Sequence, residues 1–163
     1  MLVALLSDIH DHDTHLLLAL HAAKEQGCTH LLFMGDMAGM CTFRQLREEW
    51  PHPIDLVFGN NEFETGAFTK AAMLWENTIL HGDQASISLD GRNIFFCHFP
   101  WIALKAAESG RYDAVFFGHT HAAEILTIGK TTIANPGEVY GRSSTPSIGI
   151  YDTKDNSVRL INI

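Results

Sequence analysis

Apolar and polar positions along this chain follow two rhythms. Continuous apolar runs, LVALL at 2–6, HLLFM within 30–34 and the IDLVF stretch at 54–58, are separated by segments where apolar residues recur every three or four positions. The runs predict strands buried on both faces and the spaced segments predict helices. Strands spaced by helices predict parallel βαβ units.

A first helix is expected over 14–27, with Thr14 as N-cap, Gly27 as stop, and Leu16, Leu17, Leu20 and Ala23 as its apolar stripe. A second is expected from about Thr42 to Glu49, and a third from about Glu62 to Trp75, with Gly66 inside it. From residue 84 the pattern changes. QASISLDGRNIFFCHF reads as two strands joined at Asp90-Gly91, a dipeptide that suits the positive φ angles of a tight hairpin.

A helix near Trp101 to Ser109 follows, then DAVFFG, AEILTIGK, TTIANPG, PSIGIYD and SVRLINI, with turns at Gly129-Lys130 and Asp155-Asn156. Neither a repeat nor a low-complexity linker interrupts the pattern. The expectation is α/β: one domain over 1–163 with two packed mixed β-sheets, a β-sandwich, flanked by helices.

Composition narrows the function. A chain of 163 residues with 46% hydrophobic content can bury a core of ordinary size. It lacks a run of about 18 apolar residues and a basic segment ahead of its first apolar stretch, so neither a membrane nor export is expected.

Cys28, Cys41 and Cys97 have no paired spacing, which predicts idle thiols in a reducing cytoplasm. Eleven basic against 19 acidic residues, a net charge of -8 without a basic cluster, argues against a nucleic-acid polymer as partner. The oligomeric state is not legible; a homo-oligomer is left open. Ten histidines point to metal or acid–base chemistry.

Polar residues follow the apolar runs in a regular way. Asp8 and His10 come after the first strand, Asp36 after LLFMG, Asn60 after LVFG, His98 after NIFFC, and His119 and His121 after AVFFG. Parallel strands bring such C-terminal ends to one edge, where open α/β folds place ligands. Two carboxylates, one amide oxygen and four imidazoles suit manganese, iron, zinc, cobalt or nickel.

Seven donors exceed the needs of one tetrahedral ion. Two divalent ions about 3.5 to 4 Å apart, sharing a carboxylate, use them all. Asp36, alone in its tight turn, is the choice for the bridge. Taken alone, Asp8 and His10 are equally explained as caps of the following helix.

The blocks SDIHDH, GDM, GNNE, CHFP, GHTH and NPGE, in this order, resemble the calcineurin-like metallophosphoesterases, in particular their small single-domain prokaryotic branch. The resemblance implies a β-sandwich flanked by helices. It implies that Asp8, His10, Asp36 and His121 hold one metal, and that Asp36, Asn60, His98 and His119 hold the other. Manganese comes first among the metals. Asp36, Asn60 and His98 are the expected catalytic residues.

The implied reaction is hydrolysis of a small phosphate ester, a diester by preference, through a hydroxide bridging the two ions. A phosphomonoesterase and a non-catalytic scaffold of the same fold are the alternatives. Three departures stand out. Asn61 occupies the position where many relatives carry a leaving-group histidine, Phe99 and Pro100 replace the glycine and histidine of an HGH loop, and Glu138 replaces the serine of an NPGS block.

Glu138 is expected to narrow the pocket or repel extra phosphate charge. Asn61, Arg142 and His12 are the substrate-side candidates, Arg142 as a fork onto a phosphate oxygen and His12 in proton transfer. A surface arginine and a solvated turn histidine explain the last two equally well. Asp11 and Asp13 read as solvated acids or helix N-terminal charges. His15, His21, His30, His52 and His81 read as surface or satisfied core histidines, and Trp50, Trp75 and Trp101 as packing residues.

Overall fold

The computed structural model describes residues 1–163. A six-stranded sheet is built from β1 (Leu2–Leu6), β2 (His30–Phe33), β3 (Ile54–Leu56), β4 (Thr78–Leu80), β10 (Ser147–Asp152) and β11 (Ser157–Asn162), in the order β11-β10-β1-β2-β3-β4. A five-stranded sheet contains β5 (Gln84–Leu89), β6 (Arg92–Cys97), β7 (Ala114–Phe116), β8 (Glu124–Ile128) and β9 (Thr131–Asn135), in the order β5-β6-β7-β9-β8. β1 to β4 run parallel, as do β6, β7 and β9; the other neighbours pair antiparallel.

Alternation along each strand produces the layers. Val3 and Leu5 of β1, Leu32 of β2, Phe96 of β6 and Phe116 of β7 meet between the sheets. Ala4, Leu6, Leu31 and Phe33 face the other way, onto α1 (Asp13–Glu25), α2 (Met40–Glu49) and α3 (Thr65–Ala72). Phe95, Cys97, Val115 and Phe117 cover α4 (Pro100–Glu108). The expected sandwich flanked by helices is the observed fold, and no helix is long and apolar enough to cross a membrane.

Several boundaries differ from expectation. His12, not Thr14, caps α1: its Nδ1 accepts the His15 N–H at 3.2 Å. The third helix is shorter than Glu62–Trp75 because the Glu62 carboxylate leaves the helix to accept the N–H groups of Met37 at 2.5 Å and Gly59 at 2.6 Å. β4 was not expected; three residues carry too little periodicity to announce a strand. The Asp90-Gly91 hairpin is present, with φ of 50° and 78°.

Trp50 is fully buried and Trp75 packs against the core, as expected, but Trp101 is 54% exposed. His30 and His81 form a satisfied cluster: their Nε2 atoms lie 2.7 and 2.5 Å from the two oxygens of buried Asp55. Burial works to raise the Asp55 pKa, but these two partners outweigh it and hold the carboxyl below its ordinary range. A depressed acid stabilises the fold above its unfolded pKa of about 3.9 and loses that contribution as pH falls through the folded value.

Asp55→Ala is therefore expected to cost roughly 3 kcal/mol at pH 7, since it strands two imidazoles. Its deficit relative to the parent should shrink below pH 4. Urea unfolding at both pH values measures this, and a deficit that does not depend on pH would contradict it.

Candidate active site

The edge at the C-terminal ends of β1, β2, β6 and β7 is knitted together by backbone hydrogen bonds. Asp8 N–H donates to the Gly35 carbonyl at 3.0 Å, His10 N–H to Asp36 at 3.1 Å, Gly118 N–H to His98 at 3.0 Å, and Tyr140 N–H to Asp8 at 3.0 Å. Five of the seven expected ligands sit at positive φ: Asp8 at 56°, His10 at 46°, Asp36 at 61°, His119 at 69° and His121 at 59°. Left-handed backbone at non-glycine residues is costly and concentrates at functional sites.

All seven side chains meet. Asp8, His10 and His121 form one compact group of potential metal-binding atoms, and Asp8, Asp36 and His98 form another. His121 Nε2 is 3.4 Å from Asp8 Oδ1, and His10 Nε2 is 3.6 Å from Asp36 Oδ2. On the other side, His98 Nε2 lies 3.5 Å from Asp36 Oδ1, 3.1 Å from Asn60 Oδ1 and 3.2 Å from His119 Nδ1. Asp36 thus turns one oxygen toward each histidine group.

Two glycines permit this approach. A methyl on Gly59 would stand 2.1 Å from Asp36 Oδ1, and one on Gly118 would stand 1.9 Å from Ser7 Oγ and 2.8 Å from Asp8 Oδ2.

The electrostatics suit cations. Burial raises the pKa of fully buried Asp8. Burial pushes Asp36 the same way, but the His98 contact, its charge and the Asn61 amides win, so Asp36 lies well below the usual carboxylate range. His98 is lowered by burial yet raised overall by Asp36 and Asp8, while His119 is lowered by burial and by the neighbouring His98.

Asp8 Oδ1 and His10 Nε2 are buried without any hydrogen-bond partner. Buried polar atoms ordinarily have partners, and a divalent ion provides one for both a carboxylate oxygen and an imidazole nitrogen. His98 Nδ1–H donates to the Met34 carbonyl at 2.7 Å, which fixes the tautomer that leaves Nε2 free as a ligand. The donor set therefore fits metal.

Two of the three substrate-side residues, Asn61 and His12, are held in internal contacts. Asn61 does not open toward the cleft: its Nδ2–H donates to Asp36 Oδ2 at 2.6 Å and its backbone N–H to Oδ1 at 2.9 Å. His12 is engaged as the α1 cap and stacks on His15 with centroids 3.8 Å apart, so its ring is structural. Arg142 is exposed, with no ion pair or hydrogen bond to its guanidinium. Asp11 is solvent-exposed, as expected, and also anchors a loop, accepting Gly39 N–H at 2.8 Å and the Thr42 hydroxyl at 2.7 Å.

Glu138 neither narrows the cleft nor faces substrate. It is fully buried; Oε2 accepts His121 Nδ1–H at 2.5 Å, and Oε1 accepts the N–H groups of Ser143 at 2.5 Å and Ser144 at 2.6 Å. Burial works to raise its pKa, but these donors outweigh it and lower it. Sequence reasoning missed this role and that of Glu62. A glutamate in place of serine was the available signal for Glu138; nothing in the sequence pointed to Glu62. The surface hollow between α3 and β4, lined by Thr69, Ala72, Met73, Thr78, Ile79 and Leu80, contains no titratable side chain.

Residues 1–156 match the calcineurin-like phosphoesterase superfamily domain. A phosphodiesterase of Methanocaldococcus jannaschii is 26% identical over 99% of this chain and 98% of its own length. The solved structure of an archaeal phosphodiesterase superposes with a TM-score of 0.92 at 27% identity, covering all of both chains. YfcE, a phosphoesterase from E. coli, shares the fold at a TM-score of 0.72 and 20% identity over the whole of both chains, and Vps29 of Chaetomium thermophilum at 0.70 and 16% over all of this chain and 93% of its own. This chain belongs to the calcineurin-like phosphoesterase superfamily and is a phosphoester hydrolase.

Proposed function

We propose that the chain, acting as one domain in the cytoplasm, hydrolyses a small soluble phosphodiester with the help of two divalent cations, manganese first among manganese, iron, zinc, nickel and cobalt. One observation carries the reading: remote loops bring seven donor residues together, and two of their atoms, Asp8 Oδ1 and His10 Nε2, are buried without a hydrogen-bond partner. Asp8, His10, Asp36 and His121 would hold one ion, and Asp36, Asn60, His98 and His119 the other. When bound, such ions supply positive charge against the phosphoryl oxygens and the acidity that activates water.

The protein's own residues do the rest. Asn60 and Asn61 lock the Asp36 carboxylate through three N–H donors at 2.6 to 2.9 Å, so it needs no reorganisation as charge develops. Met34 and Glu138 hold His98 and His121 in fixed tautomers. The free guanidinium of Arg142 is available to fork onto a phosphoryl oxygen.

Asn61 cannot protonate a leaving group, and its amide is already committed to Asp36. That favours esters whose leaving groups depart without protonation, and a diester is preferred because a relative that matches over almost the whole chain is a phosphodiesterase. The test compares bis-p-nitrophenyl phosphate with p-nitrophenyl phosphate, using protein loaded with manganese and protein stripped by chelator. Metal-dependent turnover with the diester faster is expected. If two ions bind and neither ester turns over, the diesterase reading fails.

A further inference from the structure

The segment His98-Phe99-Pro100-Trp101 links a candidate ligand to an aromatic surface. Pro100 is the first residue of α4 and Phe99 its N-cap in extended conformation, so the backbone either side of both rings is fixed. The Phe99 and Trp101 rings stack with centroids 4.5 Å apart and planes 21° from parallel. Phe99 stands edge-on to His98 at 5.0 Å and to His119 at 5.1 Å, and Trp101 meets His119 at 5.8 Å with planes 87° apart.

Trp101 is nevertheless 54% exposed, whereas Trp50 is fully buried. An indole held rigidly beside a polar centre, one part packed on Phe99 and His119 and the rest in water, leaves aromatic surface without a partner. No cation rests on it; the chain's one cation–π pair is Arg111 with Tyr112. Flat aromatic surface pinned at a rim is suited to stack a flat ring, and bases stack on such side chains whatever their sequence.

A net charge of -8 with no basic track disfavours a polynucleotide. We infer that Phe99 and Trp101 form a shelf that stacks the nucleobase of a small nucleotide phosphodiester whose phosphate lies at the His98 and His119 side of the site. The inference rests on the diesterase reading above and names its substrate class.

The test uses two diesters with one leaving group: thymidine 5′-(p-nitrophenyl phosphate) and methyl p-nitrophenyl phosphate. Identical departing nitrophenolate isolates the contribution of the remaining arm. The parent should prefer the thymidine ester in kcat/KM by tenfold or more. Trp101→Ala should cut that preference about tenfold to a hundredfold, mostly through KM, as expected for one stacked base, and Trp101→Phe should restore most of it.

Thermal melting checks that the exposed substitution leaves the fold intact. If the parent shows no preference, or if Trp101→Ala keeps it, the shelf is overturned while the diesterase reading stands. If the parent turns over neither ester, both fall together.

Discussion

Replacing Asp36 with asparagine is expected to lower kcat/KM on a chromogenic phosphodiester by about a hundred- to a thousandfold. The carboxylate is 1% exposed, accepts three N–H donors from Asn60 and Asn61, and faces His10 at 3.6 Å on one side and His98 at 3.5 Å on the other. Burial alone would favour the neutral acid, yet His98 and Asn61 keep it ionised. Asparagine preserves the volume and removes the charge.

Removing one preorganised electrostatic group from an active site costs about a hundred- to a thousandfold in kcat, and the loss predicted here is of that size. Calorimetric titration with manganese should show fewer than two ions bound by the variant, and circular dichroism should show the parental fold. Parental turnover by Asp36→Asn would remove Asp36 from the reaction.

Glu138→Gln is expected to weaken one manganese-binding event about tenfold to a hundredfold and to leave the other near its parental affinity. The carboxylate orients His121 through Nδ1 and also ties down the backbone of Ser143 and Ser144, next to Arg142. Carboxylate partners of metal-binding histidines are worth that much in affinity because they fix the ring and raise its basicity. His98 has its own orienting group in the Met34 carbonyl, so its side of the site should be spared. Two unchanged binding events would show that Glu138 serves the loop alone.

The two predictions differ in how far the sequence anticipates them. Asp36 was legible because an isolated acid in a tight turn after an apolar run has few other uses, and the alternation of strands and helices already placed it on the shared edge. Glu138 was not. Its identity was visible, but whether a glutamate points into the cleft or back at a histidine depends on contacts between residues 17 positions apart.

The same limit explains the helix errors. Thr14 is a better intrinsic cap than His12, but the loop from Asp8 to Asp11, with φ above zero at Asp8, His10 and Asp11, delivers His12 to the capping position. Glu62 sat where a helix could start, and two backbone N–H groups from other loops claimed its carboxylate. Trp101 was read as packing because composition favours the core for tryptophan, and only the three-dimensional rim shows it half in water. Continuous apolar runs and patterns spaced by three to four residues carried the fold; long-range hydrogen bonds decided the rest.

The most direct measurement is anomalous diffraction from crystals of the protein grown with manganese. Two ions about 3.5 to 4 Å apart are expected, one against Asp8, His10 and His121, the other against Asn60, His98 and His119, with Asp36 touching both. A single ion, or manganese bound elsewhere while these donors face one another without it, would contradict the account.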